Sequence, residues 1–247
     1  MNIGKRKLEI KLNDFHDISI PPKRFNPVNA YDLPNPMYSI FSTEGFTGNV
    51  RQGGSCNVEE LYLVPHGNGT HTECVGHISI EPVWIDSCLA KYFFSALLLS
   101  VEPEEEGDSW IIRRHHLEAS YMTYQYPTEA LILRTLPNPE GKVSRRYAGT
   151  HPPYLSEGAI NFINENGFKH LLVDLPSVDH ENDSGLKAHH LFWNYPSKPE
   201  RDKTITELIY VPDKVTDGYY MLNLQVASLQ SDASLSRPIL FPAEIKR

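Results

Sequence analysis

His66-Gly-Asn-Gly-Thr-His-Thr-Glu-Cys-Val-Gly-His77 packs three imidazoles, one carboxylate and three glycines into twelve residues. With 11 histidines in 247 residues, an average window of that length holds about half of one. Imidazole with carboxylate is the donor set that zinc prefers. In an extended chain His71, Glu73, Val75 and His77 point to one side, and Thr72, Cys74 and Gly76 to the other. His71 and Glu73 can therefore share one metal ion. Six extended residues span about 20 Å, so His77 joins them only if the chain bends near Gly76. That geometry suits His77 to an acid or base beside the metal better than to a ligand. Gly67 and Gly69 suit a loop wrapped closely around an ion, and Cys74, on the opposite side, is expected to fill the core.

Working outward, Glu60 to Val64 reads as a strand delivering the chain to this cluster. Leu8, Ile10 and Leu12 alternate with polar residues and, with Asp17-Ile-Ser-Ile-Pro-Pro, predict an opening strand pair. Residues 21–57 are rich in Pro, Asn, Gly and aromatics without periodicity, as expected of a functional lid or pocket wall. The apolar run 91–101 fits a buried strand or a short helix. Arg113, Arg114, His115 and His116 predict a solvated or anion-facing surface. Ala130-Leu-Ile-Leu-Arg-Thr135 reads as a central strand covered on both faces.

Ser156 as N-cap, an apolar face of Ala159, Ile160 and Ile163, and Asn166-Gly167 as terminator predict a helix. The strand 168–173 follows it, and one crossover unit is implied. Asp174 and Asp179 are expected to cap the turn after that strand. Further on, Ala188-His-His places His189 and His190 beside large apolar residues. In the strand beginning at Thr204, alternation puts Glu207 on the face of Ile205 and Ile209. A carboxylate there is costly unless paired, protonated or bound to a cation. Residues 219–229 read as a long closing strand.

Composition narrows the function classes. A formal charge of −8, from 31 acidic and 23 basic side chains, argues against a nucleic-acid backbone as partner. Cys56, Cys74 and Cys88 are odd in number and lack CxxC spacing, which suits a reducing compartment. No secretory h-region and no run of about 18 apolar residues is present, so a cytoplasmic protein without membrane contact is expected. No linker or composition shift divides residues 1–247, and one domain is expected.

Taken in order, Asp17-Ile-Ser-Ile-Pro, Gly69-Thr-His-Thr-Glu with His77, Leu172-Val-Asp-Leu-Pro-Ser-Val-Asp, Ala188-His-His and Thr206-Glu207 resemble the cyclase family of metal-dependent hydrolases, which includes bacterial kynurenine formamidases. The resemblance spans residues 15–240. It implies an α/β fold: one mixed, β-rich domain with a β-sandwich or barrel-like core and flanking helices, of swivelling β/β/α type. It also implies a homo-oligomer, dimer or tetramer, acting on a small-molecule amide or lactone.

For the site, the resemblance implies that His71 binds one divalent ion and that Glu73 stands at the family's bridging aspartate. His77 is the proton donor and acceptor, His189 (or His190) binds a second ion, and Glu207 bridges both. Zinc is the expected metal, as one or two ions, with manganese as the alternative. Two positions depart from the pattern. The family's first histidine corresponds to Gly67, leaving His66, one residue earlier, as the candidate ligand, and Glu73 is one methylene longer than aspartate. These departures leave a second expectation open: a metal- or small-ligand-binding protein on the same fold that has lost turnover.

Overall fold

A computed structural model describes residues 2–3, 6–124 and 126–246. Its frame is one large mixed sheet built from β1 (Arg6–Ile10), β2 (His71–Glu73), β3 (Phe93–Val101), β4 (Ala130–Thr135), β5 (His170–Val173), β6 (Thr204–Glu207), β7 (Gly218–Asn223), β8 (Ala233–Leu235) and β9 (Ile239–Ile245). The strands lie in the order β1-β9-β7-β3-β4-β5-β6-β2-β8, with Asn2–Ile3 beyond β1. The four central strands β3, β4, β5 and β6 run parallel, and the pairs flanking them are antiparallel.

Parallel neighbours need crossovers, and here the three are helical: α1 (Arg114–Tyr121), α2 (Glu157–Glu165) and α3 (Lys187–Phe192). Single-residue alternation decides which face each apolar side chain serves. Leu97, Leu99, Leu131, Leu133, Leu171, Val173 and Ile205 pack beneath the helices with Leu117, Ile160, Ile163 and Phe192. Phe94, Ala96, Leu98, Ala130, Ile132 and Leu172 form a second core on the other face with Ile18, Ile209, Leu222 and Leu240. Both faces are covered, so the central strands read as unbroken apolar runs.

The second core is enclosed because the sheet curls. His16–Asp17 pairs with β9, Ser19 bridges Ile209 just past β6, and Thr70 N–H donates to Ile20 O at 2.9 Å. This gives the barrel-like closure expected, within a mixed α/β architecture.

Several expectations need correction. The opening strands do not pair with each other; both lie on β9. Residues 93–101 are strand; in the cationic stretch only His115 is exposed while Arg113, Arg114 and His116 are half-buried, and Arg114 begins α1, whose Leu117 is fully buried. Three crossovers exist where one was legible. The strand expected at 219–229 ends at Asn223, and β9 closes the fold instead. The non-periodic 21–57 region contains short hairpin strands: Met37–Ile40 pairs with Glu59–Tyr62, just beyond it, and Ser42–Thr43 with Phe46–Thr47. Ser156 caps α2 as expected, its side chain accepting from Ala159 N–H, and Gly167 follows at φ 76°.

Candidate metal centre

β2 and β6 are antiparallel neighbours in which His71 lies directly opposite Glu207 and Glu73 opposite Ile205. Residues facing each other in such a pair project to the same side. His71 Nε2 and Glu207 Oε2 are accordingly 3.4 Å apart, and both side chains are buried. Ile209 is not on this face. Leu208 takes the left-handed conformation (φ 54°), which breaks the alternation and sends Ile209 into the second core. Glu207 therefore faces histidines rather than an apolar strip.

The bend needed after Glu73 is a 3-10 turn, Val75–His77, and Gly76 makes it possible. A Cβ at residue 76 would lie 2.0 Å from Val83 O. The turn brings His77 Nδ1 to 3.8 Å from Glu73 Oε2. Cys74 is fully buried among core residues, as expected.

His66 belongs to a single helical turn, Pro65–Asn68, and its Nδ1 sits 3.2 Å from Glu73 Oε2. Position 67 has no room for a histidine. A Cβ there would meet Leu33 Cδ1 at 2.8 Å and Ala30 O at 2.9 Å. His189 arrives from α3, with Nε2 3.0 Å from Glu73 Oε1 and 3.8 Å from Glu207 Oε1. His190 turns to Tyr195, its Nδ1 3.2 Å from that carbonyl. Of the paired histidines, only His189 faces the centre.

Asp179 does more than cap a turn. It accepts from Ala188 N–H (2.6 Å), His189 N–H (3.2 Å) and His189 Nδ1–H (2.5 Å), fixing both the start of α3 and its imidazole. Asp174 caps the neighbouring strand end, accepting from Thr135 N–H at 2.9 Å, and pairs with the buried Lys142. Two further residues carry no sequence signal tying them to the centre. Asp232, just before β8, has Oδ2 at 2.9 Å from His66 Nε2 and 3.2 Å from His77 Nδ1. Tyr31, in the left-handed region (φ 57°), donates its hydroxyl to Pro176 O at 3.0 Å. Burial first, then Glu207, holds that phenol above its ordinary range.

Two donor triads result, His71/Glu73/Glu207 and His66/Glu73/His77, each with ligand atoms within 4.8 Å of one another and with Glu73 in common. The first lies in the interior. His66, His77 and Asp232 are 22–35% exposed, so solvent reaches the centre from their side.

The charge balance calls for cations. Glu73, Glu207, Asp179 and Asp232 crowd one region, and burial by itself would raise Glu73. His77, followed by His189 and His66, instead holds it well below the carboxylate range. Burial likewise opposes charge on His66 and His189. Asp232 and Glu73 raise His66 to about 10, and Asp179 and Glu73 raise His189 to about 10.

His71 tests whether a metal ion fits. Its Nδ1 lies 3.1 Å from Gly69 O, and a carbonyl only accepts, so the proton is on Nδ1. Nε2 is then a bare lone pair, buried without a hydrogen-bond partner and aimed at a carboxylate. Glu73 Oε2 is buried and also lacks a hydrogen bond. Orphaned buried acceptors are costly, and a divalent ion held among His71, Glu73 and Glu207, whose ligand atoms lie within 4.8 Å of one another, would satisfy them.

Two surface groups are poorer candidates. His116 Nδ1 accepts from Arg113 N–H and His180 Nδ1 from Asn182 N–H, which puts the neutral-ring proton on Nε2 in both. The groups Glu104/His115/His116 and Asp108/His151/His180 each therefore lose a lone pair.

A family model described as "Putative cyclase" matches residues 16–180. The chain belongs to the cyclase family. Kynurenine formamidase from Bacillus thuringiensis (strain Al Hakam) is 30% identical over 238 residues, covering 94% of this chain and all of the relative. That from Bacillus mycoides (strain KBAB4) is 29% identical over the same span. In fold, the chain is similar to isatin hydrolase A from Labrenzia aggregata, with TM-score 0.70, 16% identity and 94% of each chain covered. It is also similar to a predicted metal-dependent hydrolase from Bacillus stearothermophilus, with TM-score 0.65, 15% identity and coverage of 92% of this chain and 98% of that one.

Proposed function

We propose that this chain is a metal-dependent hydrolase of a small amide or lactone carbonyl, with aryl formamides as the first substrate class to test. The relatives at about 30% identity are kynurenine formamidases over their full length, which favours a formamide. The similarity of fold to isatin hydrolase A makes a cyclic aryl amide the second class. The observation that carries the reading is the buried, unpartnered His71 Nε2 set against Glu207.

In this reading His66, His71, Glu73, His189 and Glu207 hold one or two divalent ions, with Glu73 central to both triads. Nitrogen with carboxylate oxygen suits zinc, and manganese is the alternative. When bound, such an ion lowers the pKa of solvent it contacts to near 7 and polarises a carbonyl oxygen. The chain's own groups do the rest. Asp179 holds the His189 proton on Nδ1, so Nε2 is the nitrogen turned to Glu73 and available to an ion. His77, on the solvent-facing side, takes a proton from the attacking water and returns it to the leaving nitrogen or oxygen. Tyr31 closes the wall beside Pro176.

We further propose one cytoplasmic domain that assembles as a homo-oligomer. Support for assembly comes from the 37–62 hairpins, which leave Met37, Val50, Leu61 and Tyr62 at least half exposed. Elemental analysis of untagged protein, with an assay against aryl formamides, isatin-like lactams and lactones, tests the functional reading. Bound metal with turnover of one class supports it. Metal without turnover favours a binding protein on this fold, and absence of metal overturns both.

A further inference from the structure

We infer that Asp232 is a positioning residue that divides the labour between His66 and His77, and that it lets a histidine at 66 serve where the family pattern has one at 67. The inference rests on the metal-centre reading above. One oxygen, Oδ2, faces both rings, at 2.9 Å from His66 Nε2 and 3.2 Å from His77 Nδ1. A carboxylate only accepts, so each of those nitrogens carries its proton toward Asp232.

The consequence differs for the two rings because different nitrogens are engaged. His66 is left with Nδ1, the atom 3.2 Å from Glu73 Oε2, as the nitrogen that would meet an ion. His77 keeps its lone pair on Nε2 and has Nδ1 occupied, which leaves it a proton acceptor rather than a ligand through Nδ1. The stacked rings, 4.4 Å between centroids and 31° between planes, are held as a pair by the shared oxygen.

This arrangement answers the displaced histidine. Position 67 is crowded by the Leu33 side chain and the Ala30 carbonyl, so the imidazole must come from residue 66, on a turn of only four residues whose N-cap, Val64, makes no side-chain cap hydrogen bond. Nothing in that turn fixes the ring; Asp232 does. Asp232 is itself anchored: Cys74 N–H donates to its carbonyl at 3.1 Å, and Ser231 Oγ–H donates to Oδ1 at 3.1 Å. The residue therefore moves with β2, the strand that carries His71 and Glu73.

The test compares wild type, Asp232→Asn and Asp232→Glu, all loaded with zinc and assayed by chelator competition. Partners that orient metal-bound histidines weaken binding by about 10–100-fold when removed, and Asp232→Asn is expected to do so while the metal-free melting temperature stays close to wild type. Asp232→Glu is expected to recover part of the affinity. Zinc affinity equal to wild type in Asp232→Asn would overturn the assignment. If wild type binds no zinc, the metal-centre reading fails first, which separates the two failures.

Discussion

His71 Nε2 and Glu207 Oε2 meet at 3.4 Å although 136 positions separate them in the chain, because β2 and β6 are antiparallel neighbours in register. His71 Nε2 is buried without a hydrogen-bond partner, so only a cation or an extra proton satisfies it. Glu207→Gln keeps the shape and removes the charge. Its metal content, measured by elemental analysis after dialysis, is expected to fall well below wild type, and retention of full metal would show that Glu207 is not a ligand.

His77 sits on the open side of the centre with Asp232 behind it. His77→Ala is expected to lower kcat between roughly 10²- and 10⁴-fold, the range for loss of a general acid or base. Metal stoichiometry is expected to remain unchanged. Coincident loss of metal would make His77 a ligand, an outcome its 3.8 Å approach to Glu73 leaves room for.

Metal removal should be visible in stability as well as in rate. An ion that binds only the folded state adds about 2.7 kcal/mol at 100 times its dissociation constant. Chelation is expected to lower the melting temperature, and restoring zinc to raise it in proportion to the logarithm of free metal. A melting curve indifferent to chelator would argue against a resident ion.

Gly76 is the hinge of the turn that returns His77. A methyl group at this position would sit 2.0 Å from Val83 O, and backbone cannot yield as a flexible side chain does. Gly76→Ala is expected to cost at least about 2 kcal/mol in urea denaturation, as overpacking does, and to depress kcat with it. A stable, fully active variant would show that the turn is dispensable.

Away from the centre, His170 offers a pH signature. Burial lowers it from 6.5 to about 4, and its Nδ1 is engaged with Thr204 Oγ1 at 2.9 Å. The folded ring stays neutral while the unfolded ring takes up a proton, so the stability from this residue is complete above pH 6.5. It is lost as pH falls toward 4. Between pH 7 and 4.5 the loss amounts to roughly 2–3 kcal/mol. His170→Gln is expected to flatten that part of the stability profile relative to wild type. Parallel profiles would refute the assignment.

Local pattern carried most of the fold. The apolar run of β4, the Ser156 cap and the Asn166-Gly167 stop are decided by neighbours in the chain, and the structure has them as read. What escaped was set at a distance. The 91–101 run is equally consistent with helix and strand until its partners β4 and β7 are known. Ile209 was read onto the Glu207 face because one left-handed residue, Leu208, is invisible to alternation. In the centre, Glu73, His71 and Glu207 stood out by chemistry and spacing. Asp232 did not, because it lies in a short loop with no motif and gains its meaning only when β8 docks against β2.

That docking also dictates timing. β2 is flanked by β6 and β8, so the two histidine-bearing segments near residue 70 wait for strands supplied some 130 and 160 positions later. A nascent chain emerging from the ribosome holds His66, His71, Glu73 and His77 well before Glu207 and Asp232, the carboxylates that face them in the folded centre. Pairings so remote are slow to form. The half-built centre thus stays open until both of those segments dock, so any ion it takes up is captured after they have been made.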